Sequence, residues 1–128
     1  IKLMDELELL TIINNNLHLT IALNYGGRDE IVRATKKISE KVKLGVLKID
    51  DITVEMFSNN LDTFDLPDPD LVIRTSGEVR TSNFLPWQCA YSEYVFEKTN
   101  WPDFNNDIYE EILIEFKNRE RRFGAILK

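Results

Sequence analysis

Two prolines one residue apart, in Leu66-Pro67-Asp68-Pro69-Asp70, stop any regular element, and the chain resumes as Leu71-Val72-Ile73, an apolar run with no polar alternation. Proline has no amide hydrogen and disfavours helical geometry in the residue before it, so a break is compulsory there. A short run that is apolar on both faces is what a strand covered on both sides of a parallel sheet requires. The rest of the pattern agrees. Leu17, Leu19, Ile21 and Leu23 alternate with His18, Thr20, Ala22 and Asn24, which predicts a strand ending at Gly26-Gly27. Asp29 and Glu30 then open a helix with a stripe of Ile31, Ala34, Ile38 and Val42, closed by Lys41 and Lys43 before Gly45. The strand, glycine pair and helix in succession place the chain in the α/β class.

The remaining elements are shorter. Leu3, Leu7 and Leu10 predict an amphipathic helix over 2–13, ended by Asn14-Asn15-Asn16, and residues 51–60 read as a short helix. Phe84 to Tyr91 reads as another, with Pro86 in its first turn, and Tyr94-Val95-Phe96 as a strand. Asp107 and Glu110 suit the N-cap and N3 positions of a last helix built on Ile108, Ile112, Phe116 and Phe123.

Composition narrows the function classes. At 128 residues and 15.0 kDa the chain is one domain's worth, 43% hydrophobic and 30% charged, values of an ordinary globular protein. Sixteen Lys plus Arg against 22 Asp plus Glu give a net charge of -6, the wrong sign for gripping nucleic-acid phosphates. The charge is uneven: Asp50 to Asp70 holds seven acidic residues and no basic one, whereas Lys117 to Lys128 holds five basic residues against Glu120. Any anionic ligand is met locally. The single cysteine, Cys89, makes no intrachain disulfide and has no metal-ligand spacing around it, which points to a reducing, cytoplasmic setting. No apolar run approaches a membrane span of roughly 18 residues.

Chemistry concentrates in Asp70-Leu71-Val72-Ile73-Arg74-Thr75-Ser76-Gly77-Glu78-Val79-Arg80-Thr81-Ser82-Asn83. Ligands of open α/β sheets bind beyond the carboxyl ends of the strands, and here that position carries two arginines and four hydroxyls. Guanidinium forks and close backbone N–H groups suit a phosphate or diphosphate. The alternative is a surface loop whose arginines pair with Glu78 or with the acidic stretch before it. Gly26-Gly27 before a helix is a second candidate anion site, or simply a turn. Glu93, beside the apolar Tyr94-Val95-Phe96, is either a Mg²⁺ ligand or an edge glutamate. His18 has no partner for acid–base work and reads as a surface residue, and Cys89, near Trp87, reads as a packed small hydrophobe.

Several blocks, long and in order, resemble the cis-prenyltransferases, most closely the bacterial undecaprenyl diphosphate synthases. They are Asn24-Tyr25-Gly26-Gly27-Arg28, Asp70 to Phe84, Trp87-Gln88, Tyr91-Ser92-Glu93, Trp101-Pro102-Asp103-Phe104 and Arg119-Glu120-Arg121-Arg122-Phe123-Gly124. The resemblance implies a central parallel sheet flanked by helices and a two-fold homodimer. It also implies a reaction: repeated condensation of isopentenyl diphosphate onto an allylic diphosphate such as farnesyl diphosphate, with Mg²⁺, towards undecaprenyl diphosphate. By position, Arg74, Arg80, Thr81 and Ser82 match the residues that hold isopentenyl diphosphate. Glu93 matches the Mg²⁺ carboxylate, and Arg122 and Gly124 match an Arg-x-Gly element that reaches the partner subunit's diphosphate site. The long lipid product implies peripheral contact with a membrane from the cytoplasmic side.

The Asp-Gly-Asn-Gly-Arg loop of that family is not in this sequence, and neither is the family's upstream segment linked to proton removal. Residues 1–128 therefore read as the C-terminal half of a single cis-prenyltransferase domain, carrying a half-site with no catalytic residue of its own and inactive alone. A non-catalytic partner subunit of a heteromeric cis-prenyltransferase is the rival reading.

Overall fold

The computed structural model describes residues 2–120. Helix α1, Lys2–Thr11, ends where Thr11 turns its hydroxyl back onto the Leu7 carbonyl at 2.8 Å, and none of its residues is buried. Residues 17–23 alternate as expected but form no strand, and all seven are exposed. A strand is defined by a neighbour that takes its N–H and C=O groups, and no described strand lies beside this segment. The alternation is real; the partner is missing.

Helix α2, Gly27–Lys43, is the longest element. Its acidic first turn (Asp29, Glu30) and basic last turn (Lys41, Lys43) complement the helix dipole, and Gly45 closes it at φ 71°, a left-handed geometry glycine adopts without strain. Ala34 and Ile38 of the expected stripe are buried, Ile31 and Val42 are half-buried, and Glu30 joins them as a fully buried side chain. A 3₁₀ turn, Ile49–Asp51, precedes α3, Val54–Ser58, whose first turn is capped by the Thr53 hydroxyl on Met56 N–H at 3.1 Å.

After the proline break, β1, Leu71–Arg74, pairs in parallel with β2, Glu93–Phe96, in the register Leu71↔Glu93 to Arg74↔Phe96. Both strands are half-buried throughout rather than enclosed. The helix expected over 84–91 is a run of turns, with one helical bond, Cys89 N–H to the Leu85 carbonyl at 2.9 Å. Positive φ at Leu85 (46°), just after Ser82 (48°) and Asn83 (67°), breaks the span, because a left-handed residue cannot sit inside a right-handed helix. Helix α4, Asn106–Asn118, starts two residues earlier than expected. Asn105, not Asp107, is the N-cap, its carboxamide oxygen accepting from Ile108 N–H at 3.1 Å. Ile112 is its buried member; Phe123 lies outside the described residues.

The architecture is thus α/β, a parallel sheet with helices around it, but its core is thin. Ala34, Ile38, Leu61, Cys89 and Ile112 are its buried apolar members. The chain exposes 10868 Å², against about 7,000 Å² for a compact monomer of this mass by the usual scaling. Leu7, Leu10, Leu19 and Leu23 are all more than half exposed. Among the described residues no helix is long and apolar enough to cross a membrane.

Candidate functional site

Everything positioned for chemistry hangs from the carboxyl end of β1. Glu97 N–H donates to the Arg74 carbonyl at 2.7 Å, extending the ladder, and Ser76 and Gly77 turn the chain with φ of 74° and 71°. Their N–H groups donate to Thr99 and Glu97 carbonyls, both at 2.8 Å, which ties the loop after β1 to the loop after β2. The Glu97 carboxylate accepts from Thr99 N–H and Oγ1 at 2.9 and 2.8 Å, and these bonds, the backbone one first, hold its carboxyl below the usual range.

From that base the Arg74 guanidinium reaches back across its own loop. Nη1 donates to the Arg80 carbonyl at 2.5 Å and to Ser82 Oγ at 2.9 Å. Arg80 itself forms an exposed ion pair with Glu78. Arg74, Thr75, Arg80 and Thr81 line an open cavity of about 240 Å³ together with Val72, Ile73, Phe84, Tyr94 and Phe96. The Tyr94 and Phe96 rings stack at 5.9 Å within it. Its lining mixes cationic and hydroxyl side chains with aliphatic and aromatic ones. The structure gathers Arg74, Arg80 and Thr81 around this cavity, with Ser82 bonded to Arg74. Arg122 and Gly124 lie outside the described residues.

Glu93 is elsewhere. It pairs with Leu71 while Arg74 pairs with Phe96, so three residues of rise, about 10 Å, separate it from the arginine end of the sheet. Its Oε2 accepts from Arg119 Nη1 at 3.0 Å, and the same nitrogen donates to the Tyr94 carbonyl at 3.1 Å. Arg119 also donates to Glu115 at 2.5 Å, and that bond, ahead of the one to Glu93, raises its pKa. Among the described residues no three His, Cys, Asp or Glu side chains gather to hold a metal. Glu93, the carboxylate singled out in the sequence for a metal, is here bonded to Arg119 and set along the sheet from Arg74.

Gly26-Gly27 is not an anion site either. Gly27 N–H donates to the Asn83 carbonyl at 2.9 Å and Arg28 N–H to Asn83 Oδ1 at 2.9 Å, so the end of α2 is occupied by the candidate loop itself. A Cβ on Gly27 would meet Pro86 Cδ at 2.0 Å. The glycine is there for close approach.

Behind the loop lies a polar cluster that no motif announced. Glu30, 1% exposed, accepts from Tyr25 OH at 2.5 Å, Asp62 N–H at 2.8 Å and Gln88 Nε2 at 3.1 Å. Burial, then the bond to Glu30, pushes the Tyr25 phenol up, so it stays a neutral donor. Gln88 also donates to Thr63 Oγ1 at 2.8 Å, while its buried Oε1 has no partner. A carboxylate one step off an apolar stripe is the only trace of this cluster in the sequence.

Comparisons with known proteins place the chain in a family. A family model described as "Putative undecaprenyl diphosphate synthase" matches residues 1–124. The isoprenyl transferase of Clostridium perfringens is 54% identical over 113 residues, covering 88% of this chain and 45% of that protein. A lavandulyl diphosphate synthase from Lavandula x intermedia, solved with dimethylallyl diphosphate, superposes with a TM-score of 0.90 at 37% identity, over 97% of this chain and 53% of that one. A Campylobacter jejuni structure described as a probable undecaprenyl diphosphate synthase gives 0.79 at 37% identity, over 97% and 55%. The chain therefore spans about half the length of the curated relatives it matches. With the same fold and a family match over nearly its whole length, this chain belongs to the undecaprenyl diphosphate synthase family of prenyltransferases.

Proposed function

We propose that this chain is the C-terminal half of a cis-prenyltransferase domain and holds the diphosphate of isopentenyl diphosphate while an allylic diphosphate, bound by the rest of the enzyme, is attacked. The observation that carries the reading is Arg74, whose guanidinium gathers Ser82 Oγ and the Arg80 carbonyl at the cavity. Arg74 and Arg80 supply the charge, the Thr81 and Ser82 hydroxyls the directional bonds, and the aliphatic and aromatic lining a surface for a five-carbon tail. Fixing the head this way sets the double bond against the allylic carbon in near-attack geometry. Arg80 leaves Glu78 for the substrate phosphate at little cost, since an exposed ion pair contributes about 0–1 kcal/mol.

Farnesyl diphosphate as first acceptor, undecaprenyl diphosphate as product, a homodimer, a cytoplasmic location and membrane contact through the lipid belong to the same proposal. So do Arg122 and Gly124 as ligands of the partner subunit's diphosphate. Mg²⁺ would neutralise charge on the departing diphosphate. For Glu93 to serve it, Oε2 has to release Arg119 and the other donors have to come from substrate or from residues beyond this chain.

The test is substrate-resolved kinetics on the full-length protein. Arg74→Ala and Arg80→Ala should each raise KM for isopentenyl diphosphate by the equivalent of about 1.5–3 kcal/mol, the worth of a charge-assisted contact, and leave KM for farnesyl diphosphate nearly unchanged. Equal effects on both substrates would sink the assignment. A non-catalytic partner subunit would show neither effect.

A further inference from the structure

The phosphate-type loop is strained where it matters. Ser82 and Asn83 are consecutive non-glycine residues at φ 48° and 67°, and Leu85 follows at 46°. Such residues are strained and persist only where surrounding structure over-determines them. What holds them is visible. The first N–H groups of α2, which a helix leaves without intrahelical partners, close on Asn83: Gly27 on its carbonyl and Arg28 on its Oδ1, both at 2.9 Å. Asn83 therefore caps, from 55 residues away, a helix whose own N-cap, Gly26, has no side chain to do so.

The approach depends on the glycine pair. A Cβ on Gly26 would stand 3.2 Å from Asn83 Nδ2, and one on Gly27 would stand 2.0 Å from Pro86 Cδ and 3.1 Å from the Asn83 carbonyl. On the other side of Asn83, the adjacent Ser82 presents its hydroxyl to Arg74 Nη1 at 2.9 Å. Phe84, one residue further, meets the Tyr25 ring edge-on at 5.8 Å, just ahead of the glycines. The line of contact runs from the α2 N-terminus through Asn83 to Ser82 and Arg74.

From this we infer that Asn83 is a positioning residue for the anion site: it locks the left-handed Ser82–Asn83 turn onto the end of α2 and so places the Ser82 hydroxyl and, through it, the Arg74 fork. Asparagine suits the task twice, since it tolerates the left-handed region and its carboxamide oxygen accepts from a helix N-terminus. The inference rests on the reading of Arg74 and Ser82 as diphosphate ligands, and the experiment separates the two.

In the full-length protein, Asn83→Gly keeps the left-handed backbone and the carbonyl contact with Gly27 and removes the side-chain contact with Arg28 N–H. It should raise KM for isopentenyl diphosphate roughly fivefold to tenfold, one ordinary hydrogen bond's worth, with kcat and KM for farnesyl diphosphate changed less than about twofold. Asn83→Asp keeps both the acceptor oxygen and the tolerance of left-handed geometry. It should restore KM to within about threefold of the unmodified protein, because a carboxylate is also welcome at a helix N-terminus. Arg74→Ala, run in parallel, reports on the underlying reading. If Arg74→Ala raises KM for isopentenyl diphosphate and Asn83→Gly does not, Asn83 is structural only and this inference is overturned while the site stands. If Arg74→Ala has no selective effect, both fall. Should Asn83→Gly fail to fold, the Asp variant decides: a folded protein with KM raised tenfold refutes the positioning role.

Discussion

Replacing Glu30 with alanine should cost the protein about 2–4 kcal/mol, and the structure says where that comes from. The carboxylate accepts from three donors, Tyr25 OH at 2.5 Å, Asp62 N–H at 2.8 Å and Gln88 Nε2 at 3.1 Å. Their fates differ when it goes. Gln88 is 4% exposed and cannot turn to water, so its loss counts in full, about 1–3 kcal/mol. Asp62 is exposed and Tyr25 half-buried, so these two recover part of their bonding from solvent. The void left by a fully buried side chain adds to the total. Against it stands the relief of no longer burying a carboxylate, which keeps the sum below the simple addition. Glu30→Gln keeps the volume but turns one acceptor into a donor facing donors, and should cost less, about 1–2 kcal/mol. Urea unfolding followed by tryptophan fluorescence measures both, and with m near 1–3 kcal/mol/M the alanine variant's midpoint should fall by about 1–2 M at unchanged m. A shift below about 0.5 M for alanine, or glutamine worse than alanine, would refute the accounting.

The Tyr25 phenol is held above its ordinary value of 10.0 by burial and by Glu30, so its neutral form stabilises the fold fully below pH 10 and that contribution is lost as pH rises beyond it. Unfolding midpoints should therefore slope down above pH 10, and Tyr25→Phe should lower stability at neutral pH while flattening that slope. Glu93→Gln in the full-length protein should reduce activity and move its Mg²⁺ titration; an unchanged profile with reduced stability would assign Glu93 to the Arg119 contact alone. Residues 1–128 by themselves should give no prenyl product from labelled isopentenyl and farnesyl diphosphates with Mg²⁺. They should also elute from a sizing column above 15.0 kDa, since Leu7, Leu10, Leu19 and Leu23 stand uncovered. Product from this chain alone would show that the active site has been misplaced.

What could be read from the residues was whatever depends on neighbours along the chain. The 3.6-residue stripe and end charges of α2, the proline stop at 67–69, the short apolar strand after it and the cation–hydroxyl loop at its end all declare themselves within a window of a few residues. The gathering of Arg74, Arg80, Thr81 and Ser82 is local in the same sense, since all four fall within nine residues of one turn. Tertiary structure decided what depends on partners far away. Residues 17–23 have the strand pattern and no strand, because pairing is made by a second segment and not by alternation. Residues 84–91 have helical composition and no helix, because Leu85 adopts left-handed geometry near their start. Glu30 and Gln88, 58 positions apart, meet only in the fold, and so do Glu93 and Arg119. A hydrogen bond across such distances leaves no periodic mark in either segment. For that reason the contact of Asn83 with the first N–H groups of α2 became visible only in the fold.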